Sequence, residues 1–225
     1  MEDLTIIYLT ANLLPEPFVE FTRQALINVI GNTPVVSVSR KPINFGENII
    51  DDGEKSLDNI YRQMLRAAKV AKTKYVAMAE DDTLYPETHF RFYRPADDTF
   101  GYNKNRMSLF TWGEPMYHWR NRLSNCTLIA PRELLIEALE ERFTKHPERI
   151  PDMYAGELGR PMVEIGLGLK PRKCEEVFSK LSVIQINHDF ASEERQRTHK
   201  KSYGYIRAYD IPYWGKASEL LEKTK

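Results

Sequence analysis

Two cysteines, Cys126 and Cys174, are all the thiol the chain carries in 225 residues. They are too few and too far apart for a cysteine metal site or a disulfide framework, so they read as two free thiols of a reducing compartment. Long apolar runs are missing too. None approaches the roughly 20 residues that cross a bilayer, and no membrane span is expected. The opening stretch, MEDLTIIYLTAN, begins acidic and lacks the basic n-region of a secretory signal. The expected location is therefore the cytoplasm. Charge of one sign is also lacking: 32 Lys and Arg stand against 32 Asp and Glu. Overall charge draws the chain neither to nucleic acid nor to membrane, although a local patch still can. There is no GxSxG, P-loop, HExxH or CxxC. GLGLK at 166–170 lacks the spacing and the preceding strand of a dinucleotide fingerprint. No repeat, low-complexity tract or linker divides a chain long enough to bury one full core.

What is present alternates. LTIIYL, residues 4–9, is a strand by its β-branched and aromatic content. Pro15 and Pro17 turn the chain into a helix carrying Phe18, Phe21, Ala25, Leu26, Ile27 and Val29 mainly on one face, closed by Gly31-Asn32. VVSVS, residues 35–39, is a second strand, and 40–53 reads as a long loop. Ser56 is a candidate N-cap. Behind it Leu57, Ile60, Tyr61, Met64, Leu65 and Ala68 recur at spacings of three and four, the clearest amphipathic helix in the chain. YVAMA, residues 75–79, is a short buried strand. Strand, helix, strand, helix, strand over 82 residues argues for a parallel sheet with crossover helices. Farther on, MSLFTW (107–112), NCTLIA (125–130) and LSVIQI (181–186) read as strands. A helix follows Pro131, and the tail ends in a short one.

The 75–79 strand stops at Glu80-Asp81-Asp82, and Pro86 bars further pairing. Adjacent carboxylates repel, and water, a cation or a basic ligand must relieve them. In open α/β sheets ligands bind at the carboxyl ends of the strands. A hard divalent cation holding a diphosphate suits these oxygens; the plain alternative is a solvated acidic turn. His188-Asp189 ends the last long strand in INHDF.

On these residues, 4–82 together with the later NHD, the chain resembles a glycosyltransferase of the GT-A type, near the family-2 group. In that family the first strand ends in a polar segment that contacts the nucleotide base, as LTAN does here. A later strand ends in an acidic DXD motif, here Glu80-Asp81-Asp82 with glutamate in the first place. The resemblance implies an α/β, Rossmann-type sandwich with a mostly parallel central sheet flanked by helices and a smaller acceptor-side region. It implies one domain over 1–225, with a nucleotide-sugar half at 1–105 and an acceptor half at 106–225. The activity implied is transfer of a hexose or pentose from a nucleotide-diphosphate sugar to an acceptor hydroxyl, with Mn²⁺ or Mg²⁺ bound. Thr10, Asn12, Ser39, Glu80 and Asp81 would line the nucleotide. Asp82 and His188 would hold the metal, with Asp189 the alternative to His188, and an imidazole ligand favours manganese.

An inverting transfer needs a carboxylate base; a retaining one does not. The stretch PDMYAGELGRPMVEIG offers Asp152, Glu157 and Glu164. Glu157, between glycines, is favoured, and Asp152 is next. The basic run from Arg195 to Arg207, interleaved with Tyr203 and Tyr205, either closes over a diphosphate, tracks an anionic acceptor or is a solvated face. Trp112, Tyr117, His118 and Trp119 form either a stacking platform or part of the core, and Arg120 and Arg122 are candidates for phosphate recognition. The acceptor stays open among a glycan, a small molecule, a protein and a modified DNA base. Two rivals remain: a sugar nucleotidyltransferase, against which the absence of a Gly-rich basic loop after the first strand counts, and a non-catalytic glycan- or nucleic-acid-binding protein on the same fold.

Overall fold

The computed structural model describes residues 1–190 and 204–225. The elements run β1 (Leu4–Thr10), α1 (Glu16–Ile30), β2 (Val35–Ser39), β3 (Glu47–Ile50), α2 (Leu57–Val70), β4 (Tyr75–Glu80), β5 (Thr83–Leu84), β6 (Thr99–Asn103), β7 (Arg106–Phe110), β8 (Tyr117–Trp119) and β9 (Leu128–Pro131). Then come α3 (Arg132–Lys145), α4 (Pro161–Gly166), β10 (Lys173–Val177), β11 (Val183–Asn187), β12 (Ile206–Ala208), β13 (Asp210–Ile211), β14 (Gly215–Lys216) and α5 (Ala217–Glu222).

A seven-stranded sheet of order β10-β6-β9-β4-β1-β2-β3 forms the centre. β9 is antiparallel to both its neighbours, and the other pairings are parallel. Strand β1 shows how this sheet becomes the middle of a sandwich. Successive side chains point to opposite faces. Leu4, Ile6 and Tyr8 pack with Leu26 and Ile30 of α1, while Ile7 and Leu9 pack with Tyr61 and Met64 of α2 and Leu135 and Leu139 of α3. A second sheet, β12-β8-β7-β11-β5, stands beside it. Its apolar face, Met107, Leu109, Tyr117, Ile184 and Ile186, packs with Phe18 of α1 and Leu220 of α5.

The helix ends follow local chemistry. Ser56 caps α2, its hydroxyl accepting from the Asn59 N–H at 3.0 Å, and α1 begins with proline in its first turn. The loop expected at 40–53 contains β3, which adds to the sheet edge parallel to β2. Its short ENII sequence, half exposed, hid it. Gly46 makes that return possible: at φ +68°, a Cβ there would stand 2.2 Å from the Val35 carbonyl oxygen. NCTLIA divides into a 3₁₀ turn over Asn125–Thr127 and strand β9. Past residue 105, β9 and β10 still belong to the large sheet, whereas β5 belongs to the small one. Both thiols are free, and Cys126 is buried. Among the described residues no helix is long and apolar enough to cross a membrane.

Between β4 and β6, His89 is fully buried against Tyr85 and Phe90, at ring separations of 5.3 and 4.7 Å. Its Nδ1 lies 3.0 Å from the Asn103 amide nitrogen, and its Nε2 has no partner among the described residues. Burial drives its pKa down to about 3. The unfolded chain binds this proton near pH 6.5 and the folded chain does not, so stability is full above that pH and falls as pH drops toward 3. The expected loss at pH 5 is about 2 kcal/mol from this ring alone. Urea unfolding of wild type and His89→Gln at pH 7.5 and pH 5 checks it: the wild type should lose more between the two.

Candidate functional site

The order 3-2-1-4 within the large sheet means the chain turns back on itself between β1 and β4. The crevice at such a switch point, beyond the carboxyl ends of the strands, is where α/β folds bind ligands. Thr10 ends β1 and Glu80 ends β4, and a cavity of about 900 Å³ opens there. Thr10, Glu80, Asp81, Asp82 and His188 line it, with Asp51, Lys55, Arg40, Arg122 and Gln185.

The acidic turn is held rigidly. The Thr10 hydroxyl donates to Asp81 Oδ2 at 2.5 Å, and the Thr22 hydroxyl of α1 donates to the Asp81 carbonyl at 2.8 Å. The Thr83 hydroxyl donates to Asp82 Oδ1 at 2.8 Å. The Asp82 carbonyl accepts from the Ile186 N–H at 2.8 Å, which fastens the turn to β11. At the end of β11 the His188 ring meets Phe18 edge-on at 5.8 Å, and its Nε2 stands 3.7 Å from Asp82 Oδ2.

Electrostatically, Lys55 and Arg106 act on the turn, but among the described residues neither forms an ion pair with it. Burial first, then Asp81, raises Glu80 to about 7. Burial raises Asp81 to about 6 against the pull of Thr10. Burial, Glu80 and Asp81 hold Asp82 well above the carboxylate range. Burial and Lys55 lower His188 to about 4, so the ring is neutral at pH 7 and its contact with Asp82 is no ion pair. Desolvated like charges of this kind call for a cation.

Among the described residues no group of three His, Cys, Asp or Glu forms a ready-made metal cage. Asp82 and His188 nevertheless fit as two ligands of one ion. A ligand atom lies about 2.0–2.2 Å from a small divalent cation, and 3.7 Å is within two such lengths. One local change is required. The Phe190 N–H donates to His188 Nδ1 at 3.2 Å, which leaves the ring proton on Nε2. Ligation through Nε2 means breaking that hydrogen bond and moving the proton to Nδ1.

The other expected residues divide. Asn12, at φ 51°, accepts at Oδ1 from the N–H groups of Arg40 and Lys41 at 2.8 and 2.9 Å, so it fastens the end of β1 to that of β2. Ser39 is fully buried, donating to the Lys41 carbonyl at 2.7 Å and accepting from Asn48 at 2.8 Å. Neither is on the cavity wall. Glu157 is not on it either; it pairs with Arg160 at 2.8 Å and acts electrostatically on Arg122. Asp152 begins a 3₁₀ turn, Asp152–Tyr154, whose Met153 lines the cavity. Glu164 is spent on structure: fully buried, it accepts from the N–H groups of Gly159 and Arg172 at 2.9 and 2.6 Å. Tyr117 and His118 are buried, which leaves them no exposed face for an aromatic platform. Arg195, Arg197, Lys200, Lys201 and Tyr203 lie outside the described residues.

Sequence reasoning missed Asp51. It follows β3, is 2% exposed and lines the cavity. Asn59 donates to it at 2.7 Å, and Gln63 and Arg66 also donate. Burial alone would raise this carboxyl, but the donors outweigh it and hold it below the usual range. The signal was there in Asn59, Gln63 and Arg66, one polar stripe on α2 at spacings of four and three.

No family model and no curated protein sequence matches the chain. Solved structures do match. S. aureus TarS 1–349 in complex with UDP-GlcNAc is 12% identical at TM-score 0.48, over 88% of this chain and 61% of that one. A Drosophila β-1,4-galactosyltransferase 7 mutant in complex with manganese, UDP-Gal and xylobiose is 13% identical at TM-score 0.42, over 87% and 74%. The Pyrobaculum calidifontis mannosyltransferase PcManGT with GDP-Man and Mn²⁺ is 11% identical at TM-score 0.42, over 82% and 56%. All three hold a nucleotide sugar. These neighbours are GT-A-type glycosyltransferases. The chain spans 37–61% of the length of the TarS structures it matches.

Removing Asp51 strands four donors, one of them charged. Asp51→Ala should cost roughly 2–3 kcal/mol, while the neighbouring exposed Asp52→Ala should stay within about 0.5 kcal/mol. Chemical denaturation of both variants measures the difference.

Proposed function

We propose that the chain transfers a sugar from a nucleotide-diphosphate donor to an acceptor hydroxyl, with a divalent cation held by Asp82 and His188. The observation that carries this reading is the turn Glu80-Asp81-Asp82, half-buried at its first two acids and buried at Asp82, facing a neutral His188 across 3.7 Å at the switch point of the sheet. Acids so desolvated suit a cation that arrives with an anionic partner, and a diphosphate supplies the anion. A bound cation would neutralise the charge that builds on the departing diphosphate, with manganese favoured over magnesium by the imidazole.

The chain's own groups take the remaining tasks. Thr10 orients Asp81, and Phe18 holds the ring of His188. Lys55 and Arg40, on the cavity wall, meet phosphate charge. Asn12 and Ser39 shape the nucleotide side by holding the loops that surround it, and Asp51 fixes the start of α2 beside them. For an inverting transfer the base is Glu157 or Asp152. The cytoplasm, where nucleotide sugars are at hand, is the compartment this reading favours.

Thermal unfolding with a panel of nucleoside diphosphates, with and without Mn²⁺, tests the donor site, since a ligand of the folded state alone raises Tm. One nucleotide should raise Tm in the presence of the metal, and Asp82→Asn should abolish the rise. A folded protein indifferent to every nucleotide would instead be a binding protein on this fold. Glu157→Gln separates two roles: loss of the base should lower kcat by about 100-fold or more, whereas an acid that merely pairs with Arg160 can be changed with turnover nearly intact.

A further inference from the structure

The second sheet has a face that the apolar core does not use. On β7, Met107 and Leu109 point into the core, so Arg106 and Ser108 point the other way. Trp119 of β8 pairs with Met107, which brings Arg120, one residue on, beside Arg106. Arg122 follows and lines the cavity. Arg106 and Arg120 are buried, at 1% and 8% exposure. Arg106 Nη1 donates to Gln185 Oε1 at 2.6 Å, and the Gln185 amide in turn donates to Glu80 Oε2 at 3.4 Å. Its Nη2 has no partner among the described residues, and neither has Arg120 Nη1.

Buried guanidinium nitrogens without acceptors are costly, and guanidiniums crowded together more so. Arg106 is partly explained as the counter-charge of Glu80 and Asp82. Arg120 is not. The charges that bear on it are those of Arg122 and Arg106; burial first, then these two, brings it down to about 9. A structural arginine is buried against a carboxylate; among the described residues the charged groups that act on this one are two more arginines. The planar forks of such a cluster match the oxygens of a phosphoryl or carboxylate group.

We propose that Arg106, Arg120 and Arg122 form a subsite for an anionic group, phosphoryl or carboxylate, carried by the acceptor. The inference deepens the transferase reading by naming the class of acceptor and rests on it for the word acceptor alone. The subsite belongs to the second sheet, across Gln185 from the acidic turn, whereas Thr10, Asp51 and Lys55 stand on the side of β1, β3 and α2. Arg122 shares the cavity wall with Thr10, Asp51 and Lys55, while Arg106 and Arg120 belong to the second sheet, so competition with the nucleotide is what separates an acceptor's anion from the diphosphate of a donor.

The experiment measures Tm of the whole chain with glycerol 3-phosphate, glucuronate and uncharged glucose as probes, each with and without a saturating nucleoside diphosphate and Mn²⁺. At least one of the two anions should raise Tm where glucose does not, and should do so equally with the nucleotide bound; which anion does so identifies the phosphoryl or the carboxylate source. Arg120→Gln should weaken that anion by about tenfold or more in apparent Kd and leave the nucleotide shift intact, and Arg122→Gln, on the wall of the shared cavity, should weaken the anion likewise. If Arg120→Gln does not fold, Arg122→Gln decides alone. The proposal is overturned if neither anion shifts Tm, if the shift disappears once the nucleotide is bound, or if the folded variants keep it. An anion shift that depends on the arginines, without any nucleotide shift, would uphold the subsite and remove the donor reading instead.

Discussion

Three adjacent carboxylates at the end of one strand, two half-buried and one buried, set the terms for the rest of the site. Asp82 is only 8% exposed, and its neighbours raise it further. No fold accepts that arrangement without something to hold the turn and something to balance it. The holding comes from the short bonds of Thr10, Thr22, Thr83 and the Ile186 amide. The balancing comes partly from Lys55 at one side and Arg106 at the other, which act on Asp81 and on Glu80 and Asp82 respectively. Neither makes an ion pair with the turn among the described residues, so the imbalance persists and marks where a cation is wanted.

The second sheet divides its labour between its faces. One face, with Leu109, Tyr117 and Ile186, seals the flank of α1 and α5. The other is lined by Arg106, Ser108 and Gln185 and turned toward the acids. Small strands of only two to five residues suffice because one face is anchored in apolar packing and the other is stitched by polar side chains.

The first 82 residues were legible because period and punctuation agree there. Alternating β-branched residues, helix spacing and Ser56 all point one way, and β1, α1, β2, α2 and β4 lie where that agreement puts them. β3 was not legible, since ENII has neither length nor alternation and gains its strand character only by pairing with β2. The acids of the site were visible as a charge run at a strand end. His188 was visible only through resemblance, for nothing local distinguishes a histidine after a strand from a surface one. Asn12 and Ser39 end strands, which suggests contact with a ligand, and their side chains also bond to backbone and loop, a role the sequence does not display. Tyr117 and His118 looked like a platform for the same reason that any aromatic cluster does, and register, not composition, put them inside.

The insertion of β9 between β4 and β6 has a further consequence, for how the molecule comes together. Residues 128–131 run antiparallel in the midst of a parallel sheet, and the edge beyond them is completed only by residues 173–177. The first four strands of that sheet can pair early, but their outer flank stays open until some fifty further residues have been added and brought back. Such pairing between distant segments is slow to form, because loop closure costs entropy before any contact repays it. During synthesis the nascent chain carries an unfinished sheet edge until β9 is made, and the acidic turn gains its clasp only when β11 has followed.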